Sequence, residues 1–296
     1  MSTKLADNST KVTTIDLQAG RRAFLKSAGL MAAGAATLGI VGGAPDVAHA
    51  ALTDTQILNF ALNLEYLEAE FYLVASTGKG LNDADTTGTG TLGEVKGGSK
   101  VKFKSNLIKD YAREIANDEE AHVKFLRSAL GGSSVARPQI NLNSSFTAAA
   151  RAAGLINNKQ KFDAFANEDN FLLAAFIFED VGVTAYKGAA ALISDAGILE
   201  AAAGLLAVEA YHAGEIRTLL ASKGFFAQAN AISDARDSLD GGSDLDQGIR
   251  KNKMVNIVPT DDNGLAFSRT PEQVLQVVYL GDEPSAASFF PNGVNS

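Results

Sequence analysis

The chain has 296 residues, of which 26 are Lys or Arg, 34 are Asp or Glu, three are His and none is Cys or Trp, and its formal net charge is -8. The absence of cysteine excludes a disulfide framework, a thiolate metal site and a cysteine nucleophile. The acidic balance argues against a nucleic-acid-binding domain, which needs a basic face, while a hydrophobic content of 46% is enough for a large core.

The first fifty residues have the three parts of an export signal. Residues 21–26 read RRAFLK, residues 27–43 carry no charge, and residues 48–50 read AHA, a small-x-small cleavage pattern. The paired arginines resemble the twin-arginine signal, although Gly20 stands where Ser or Thr is usual. We expect cleavage after Ala50 and a periplasmic or extracellular protein. The apolar run is too short and too weakly hydrophobic for a stable membrane span; an uncleaved anchor is the alternative.

The mature chain contains four stretches with the length and periodicity of helices, and strand patterns are scarce, so we predict an all-α, four-helix bundle. The four predicted helices cover residues 54–76, 101–130, 160–194 and 198–222. The third is apolar nearly all round in its middle, which is typical of a helix deep in a core. The long link between the second and third helices holds a predicted short helix over residues 145–153 and suits a crossover.

The character of the chain changes after the fourth predicted helix. We therefore divide the mature chain into a bundle, residues 51–224, and a mostly irregular C-terminal extension, residues 225–296. Thr270 and Pro271 predict the start of a short helix that runs to Leu280. The apolar residues of the extension would associate with something if they were exposed, so we expect the extension to pack on the bundle, and a small homo-oligomer is compatible with the same residues.

Signal cleavage would leave two histidines, and each follows a glutamate by three residues. The pairs are Glu119 with His122 and Glu209 with His212. Residues i and i+3 of a helix lie on one face, so a carboxylate and an imidazole at this spacing can bind one metal ion together. Both pairs interrupt an apolar stripe and should point inward; two solvated surface pairs are the alternative.

The other two helices each contribute a glutamate to an apolar stripe. We predict Glu65 in the first helix, with Glu68 as its rival, and Glu179 in the third, where the adjacent Asp180 points about 100° away. Glu70 is expected to face solvent. Buried carboxylates without partners are very costly, and two divalent cations would make the cluster favourable.

A repeated spacing indicates two similar halves. Tyr72 and Tyr186 each follow the single glutamate of their helix by seven residues, and Arg127 and Arg217 each follow a histidine by five. The repeat predicts a pseudo-twofold site. The two tyrosines are candidate hydrogen-bond donors or redox-active groups beside the site, or simple core residues. The two arginines are expected to form structural ion pairs.

These residues resemble the ligand pattern of the ferritin-like superfamily of dinuclear metal carboxylate proteins. The resemblance assigns Glu65 and Glu179 as the single glutamate ligands, with Glu119, His122, Glu209 and His212 as the two paired sets. The chain is similar, more closely, to the exported ferritin-like proteins related to plant desiccation-related proteins. Residues 256–260 (NIVPT), 267–271 (FSRTP) and 289–293 (FFPNG) carry that likeness.

The resemblance implies two divalent metal ions, and mixed carboxylate and imidazole ligands suit Fe or Mn and tolerate Zn. One reading is an oxidoreductase that acts on oxygen or peroxide, with ferroxidase, peroxidase or catalase-like activity. A second is a non-enzymatic stress or envelope protein with a structural or vestigial metal site. A third, a ferritin-type storage cage, fits poorly with the long loops and the extension. With both histidines engaged, no Ser-His-Asp set remains for hydrolysis.

Overall fold

The computed structural model describes residues 52–241 and 244–296. The predicted export signal lies outside these residues. The helices in chain order are α1 (Asp54–Thr77), α2 (Asn106–Leu130), α3 (Ser144–Ala152), α4 (Glu168–Ala190), α5 (Ala196–Ser222), α6 (Phe226–Leu239) and α7 (Pro271–Tyr279). The strands are β1 (Val95–Lys96), β2 (Ile140–Asn141), β3 (Arg250–Lys251) and β4 (Met254–Val255), and two single-turn helices cover Asp83–Asp85 and Gly131–Ser133. The predicted all-α class is confirmed.

Four long helices form the bundle, with α1 packed mainly on α2 and α4 mainly on α5. N-caps decide where these helices begin. Ser105 caps α2 by accepting a hydrogen bond from the backbone N–H of Ile108, and Asn167 caps α4 by accepting from Asp169 and Asn170. Both helices therefore begin later than the hydrophobic periodicity predicts. The middle of α4 is buried on all sides, as its sequence predicts.

The polar loop between α1 and α2 is fixed against the link that follows α2. Strand β1 pairs with β2 in parallel, and Thr89 pairs with Val135 in an isolated bridge. Gly93 allows this close approach, because a Cβ there would lie 2.1 Å from the backbone nitrogen of Gln139. The hydroxyl of Tyr66 on α1 donates to the carbonyl of Val135, 3.1 Å away, and ties the loop pair to the bundle.

The extension begins with a helix, α6, that the sequence analysis did not identify. Its inward face consists of Ala229, Ile232, Ser233 and Arg236, which combines small and polar residues and gives a weak hydrophobic pattern. The side chain of Phe225 at its N-cap makes no capping hydrogen bond. The sequence therefore also lacks the Ser, Thr, Asp or Asn that usually indicates the start of a helix. The short helix predicted after Thr270 is present as α7, with a capping box between Thr270 and Gln273.

Two phenylalanines of the extension lie inside the main core. Phe289 and Phe290 are fully buried, and the ring of Phe289 packs edge-on against Phe178 of α4 and Phe146 of α3, with centroids 4.9 and 5.1 Å apart. The carbonyl of Phe289 also accepts a hydrogen bond from the backbone of Asn141. Val274, Val277 and Val278 of α7 are buried as well, whereas Met254, Val258 and Leu265 of the same extension are exposed.

A network of buried ion pairs joins α4 and α5 to the extension. Arg217 of α5 and Arg236 of α6 both bond Asp180 of α4, at 2.7 and 2.9 Å. Arg236 also pairs with Asp246, which in turn pairs with Arg269. Each of these arginines is at most 2% exposed. Because charges buried this deeply are stable only when paired, the network fixes the extension to the bundle in one register.

Among the described residues, no helix combines the length and the apolar character that crossing a bilayer requires.

Candidate metal centre

Six residues from the four bundle helices meet in the centre of the bundle. They are Glu65 of α1, Glu119 and His122 of α2, Glu179 of α4, and Glu209 and His212 of α5. None is more than 6% exposed. They form two overlapping groups in which the candidate ligand atoms all lie within 4.8 Å of one another. The structure thus brings together all six residues predicted as ligands.

Glu119 lies between the two halves of the cluster. One of its carboxylate oxygens is 3.4 Å from Nδ1 of His122, and the other is 3.0 Å from Nδ1 of His212. The first group adds Glu65 and Glu209, whose nearest oxygens are 3.2 and 3.7 Å from Nδ1 of His122. The second group consists of Glu119, Glu179 and His212. Glu119 is therefore the carboxylate that both groups share.

The two tyrosines connect the halves crosswise. Tyr72 of α1 donates a hydrogen bond to Oε1 of Glu179 on α4, and Tyr186 of α4 donates one to Oε1 of Glu65 on α1. Both hydroxyls are buried, and burial together with nearby carboxylates raises the pKa of each tyrosine well above its ordinary value. Both therefore stay protonated donors. The repeated Glu–Tyr spacing predicts such a pseudo-twofold pair, although it does not show that each tyrosine bonds the opposite half.

One contact breaks this symmetry and was missed in the sequence. Oδ2 of Asp118 lies 3.1 Å from Nε2 of His212, on the side of the ring that faces away from the cluster. The repeat places Val208 at the equivalent position before Glu209, so His122 has no such partner at that position. A carboxylate on the outer nitrogen of a ligating imidazole fixes its orientation and raises its basicity. The acidic residue directly before Glu119 could have indicated this contact.

Burial and mutual repulsion set the charge of the carboxyl groups. Desolvation raises the pKa of Glu65 to about 7 and of Glu179 to about 8, against the opposing effect of the neighbouring imidazoles. For Glu209, desolvation and the surrounding carboxylates raise the pKa well above its ordinary value. Glu119 is the exception, because the close approach of both histidines outweighs its desolvation and lowers its pKa.

The histidines respond in the opposite sense. Burial opposes a charge on His122, but Glu65 and Glu119 outweigh it and raise the pKa to about 11. For His212, Glu119 and Glu179 likewise outweigh burial and raise the pKa to about 10. The cluster on its own therefore holds two imidazolium cations among buried carboxyl groups. These are the charges that a bound cation would replace.

The side chains fit a pair of divalent cations. Within the described chain, no hydrogen bond satisfies either carboxylate oxygen of Glu119 or Glu209, Oε2 of Glu179 or Nδ1 of His212. Nδ1 of His212 lies 3.0 Å from Glu119 without hydrogen-bond geometry. Buried polar atoms are rarely left unbonded, and four carboxylates with two imidazoles are a donor set that suits Fe or Mn and tolerates Zn.

The acidic residues that neighbour the predicted ligands in the sequence have different surroundings in the structure. Glu68 is 5% exposed, and its charge interacts with the cluster. Glu70 was expected in solvent, but it is 1% exposed and pairs with Arg137 at 2.5 Å, so that expectation is wrong. Asp180 points away from the cluster to its arginine partners.

The two arginines of the repeat have different partners. Arg217 forms the expected ion pair with Asp180 and also donates to three backbone carbonyls of the extension. Arg127 does not form the expected ion pair with any described residue; it donates to the hydroxyl of Tyr66 and the carbonyl of Thr87, both at 2.6 Å. The role of Arg127 is therefore to hold the loop after α1 against the bundle, and not to neutralise a carboxylate.

Comparison with known proteins agrees with this geometry. The family model of the ferritin-like domain matches residues 53–222, which includes all six clustered side chains. The chain is 33% identical over 263 residues to the desiccation-related protein PCC13-62 of Craterostigma plantagineum, covering 81% of this chain and 82% of that protein. It is 27% identical over 262 residues to the ferritin-like catalase Nec2 of Nesocodon mauritianus, covering 82% and 83%.

No solved structure gives a significant match. The family match covers more than half of the chain, and the likeness to the desiccation-related protein exceeds 30% identity over 81% of it. The chain belongs to the ferritin-like domain family, in the group that includes the desiccation-related proteins.

Proposed function

We propose that the protein binds two Fe or Mn ions through the six clustered side chains and uses them in redox chemistry with oxygen or peroxide. The observation that carries the proposal is the placement of Glu119 between Nδ1 of His122 and Nδ1 of His212, with both carboxylate oxygens free of hydrogen bonds within the described chain. A carboxylate between two imidazoles offers oxygen donors to both members of a pair of cations, in agreement with the Glu-x-x-His ligand pattern.

The protein's own contribution is position, charge and exclusion of water. A pair of such metals, when bound, would supply the electron-transfer chemistry. The buried bundle keeps bulk water from the six side chains, and four of them are carboxylates that neutralise a cation pair. Tyr72 and Tyr186 hold Oε1 of the two single glutamates through their hydroxyl protons, which leaves Oε2 of each facing an imidazole.

Peroxide is the substrate that the relatives favour, because one of them is named a ferritin-like catalase. The test uses protein purified from its native host, with metal content and turnover of oxygen and peroxide measured together. We expect two Fe or Mn per chain and turnover of peroxide or oxygen. Glu119→Gln should lose both metal and turnover. The matched control is Glu120→Gln, which changes the next residue of the same helix, where the carboxylate pairs with Lys124 on the helix surface.

Full metal occupancy without turnover of either oxidant would overturn the redox proposal. It would favour a second function, a non-enzymatic stress or envelope protein with a structural metal site. The burial of all six residues favours this alternative, because a substrate has little access to the cluster, and the name of the desiccation-related relative agrees with it. In that case metal removal should lower the melting temperature and alter no reaction.

We also propose that the twin-arginine signal exports the chain and is removed after Ala50, which leaves a bundle (residues 51–224) and its extension (residues 225–296). The RRAFLK sequence supports this proposal. A double change of Arg21 and Arg22 to Lys should leave uncleaved protein in the cytoplasm, whereas cleavage and export that continue unchanged would contradict it. Sedimentation of the mature chain would test the predicted small oligomer.

A further inference from the structure

We propose that Glu68 is a seventh ligand side chain and that it serves only one of the two metal positions, the one that includes Glu209. The proposal rests on the metal pair of the proposed function. Glu68 lies one turn after Glu65 on α1 and is 5% exposed, and residues three apart share a face of a helix.

A glycine on the opposite helix locates the Glu68 carboxylate. A Cβ built on Gly182 of α4 would lie 3.6 Å from Oε1 of Glu68 and 2.3 Å from Oε2 of Glu209. The carboxylate of Glu68 therefore borders the cluster on the side of Glu209. Gly182 lies inside a helix, where glycine is less favourable than alanine. Glycine at this position leaves room for the carboxylate of Glu209, with which a methyl group would collide.

The internal repeat shows that this arrangement exists in only one half. The repeat aligns Glu65 with Glu179 and Tyr72 with Tyr186. Gly182 of α4 therefore occupies the position that is equivalent to Glu68 of α1. One half thus carries an additional carboxylate where the other half carries a hydrogen atom. The six ligands already divide unequally, with four residues in the first group and three in the second. The oxygen donors of Glu68, which border Glu209, enlarge the first group further.

The surrounding charges point to a cation as the partner of Glu68. Two other buried acids of these helices have an arginine each: Glu70 pairs with the partly buried Arg137, and Asp180 pairs with the buried Arg217. Glu68 makes no ion pair with any described residue. Burial raises its pKa, and the charges of Glu119 and Glu179 raise it further. A carboxyl group in this position is costly unless a cation compensates it.

The test is a Co²⁺ titration of the metal-free protein, followed by visible absorption and by mass spectrometry under native conditions. For the wild type we expect two ions bound in two distinguishable steps. In Glu68→Gln one of the two steps should weaken by about ten-fold or more, with a changed absorption spectrum for that ion. Glu68→Asp should lie between the two. The matched control is Glu70→Gln, which removes a buried carboxylate of the same helix outside the cluster and should keep both steps.

The outcomes separate this inference from the proposed function. If the wild type binds no Co²⁺, the metal pair itself is refuted. If Glu68→Gln binds both ions with wild-type affinity and spectrum, only the role of Glu68 is refuted. Circular dichroism and the melting temperature of the metal-free variants identify a folding defect. Metal-free Glu68→Gln should melt no lower than the wild type, because it removes an uncompensated acid; if it melts lower while its Co²⁺ steps are unchanged, Glu68 is structural.

Discussion

Metal binding to the central cluster should release protons, and fewer should be released as the pH rises. In the metal-free protein, neighbouring carboxylates raise the pKa of His122 to about 11 and of His212 to about 10 despite burial. Desolvation raises the pKa of Glu65 to about 7 and of Glu179 to about 8. A metal binds only the deprotonated forms of these groups.

The four pKa values give the expected magnitude. Near pH 6 all four groups are protonated without metal, so binding of the pair should displace at least about four protons. Near pH 8.5 Glu65 is ionised and Glu179 is mostly ionised, so the number should fall by about one and a half. The two imidazoles still release their protons at the higher pH, and the apparent metal affinity should rise steeply from pH 6 upward.

The same shifts determine how the metal-free protein depends on pH. All four folded-state pKa values lie above those of the unfolded chain. Their stabilising contribution is therefore complete below about pH 4.5 for the glutamates and about pH 6.5 for the histidines. It is lost as the pH rises through about 7 and 8 for the glutamates and through about 10 and 11 for the histidines. Metal-free protein should thus lose stability in the range where metal-bound protein gains it.

The assay is titration calorimetry with Mn²⁺ in two buffers of different ionisation enthalpy, because the buffer-dependent part of the heat counts the protons. Glu179→Gln removes one of the two groups that titrate between about pH 6 and 8.5, so its change in proton release should shrink to about one. A release below about one proton near pH 6, or a release that does not change with pH, would refute the assigned protonation of the cluster.

Three further changes test how the extension is held, each by chemical denaturation of the metal-free protein. Arg217→Met leaves Asp180 short of one of its partners and should lower the free energy of unfolding by about 3–5 kcal/mol; an unchanged value would show that the pair contributes nothing. Gly188→Ala should cost about 1–3 kcal/mol, because a Cβ there would lie 2.0 Å from the carbonyl oxygen of Arg269. Phe289→Ala should cost about 3–5 kcal/mol in one cooperative transition, since its ring is fully buried; a separate early transition would show that the extension unfolds alone.

The sequence predicts the bundle well because its helices are long and strongly periodic. Their boundaries are less predictable, since the N-caps at Ser105 and Asn167 begin α2 and α4 later than the hydrophobic pattern, which extends back into the preceding loops. Helix α6 was missed for the opposite reason. It buries Arg236 against Phe176 and two aspartates, and a buried arginine in a sequence looks the same as a solvated one.

The central cluster could be predicted to the level of the residues that share a face. A glutamate within an apolar stripe must be buried, and four such glutamates need cations, so the meeting of the six side chains follows from helix geometry. Their ligand role stays a prediction. The crosswise bonds of Tyr72 and Tyr186 do not follow from spacing, because they depend on how α1 faces α4. The contact of Asp118 with His212 depends in the same way on α2 and α5.

The acids of α1 show where sequence reasoning ends. Glu65, Glu68 and Glu70 lie within six residues of one helix, and all three are buried. What distinguishes them is a partner far away in the chain: Glu65 contacts His122, and Glu70 contacts Arg137, 67 residues later. Helix periodicity assigns a direction to a side chain, but only the fold decides whether an arginine or a metal-binding cluster lies in that direction. A buried acid that has no protein cation among the described residues, as at Glu68, is therefore the best place to search for a bound one.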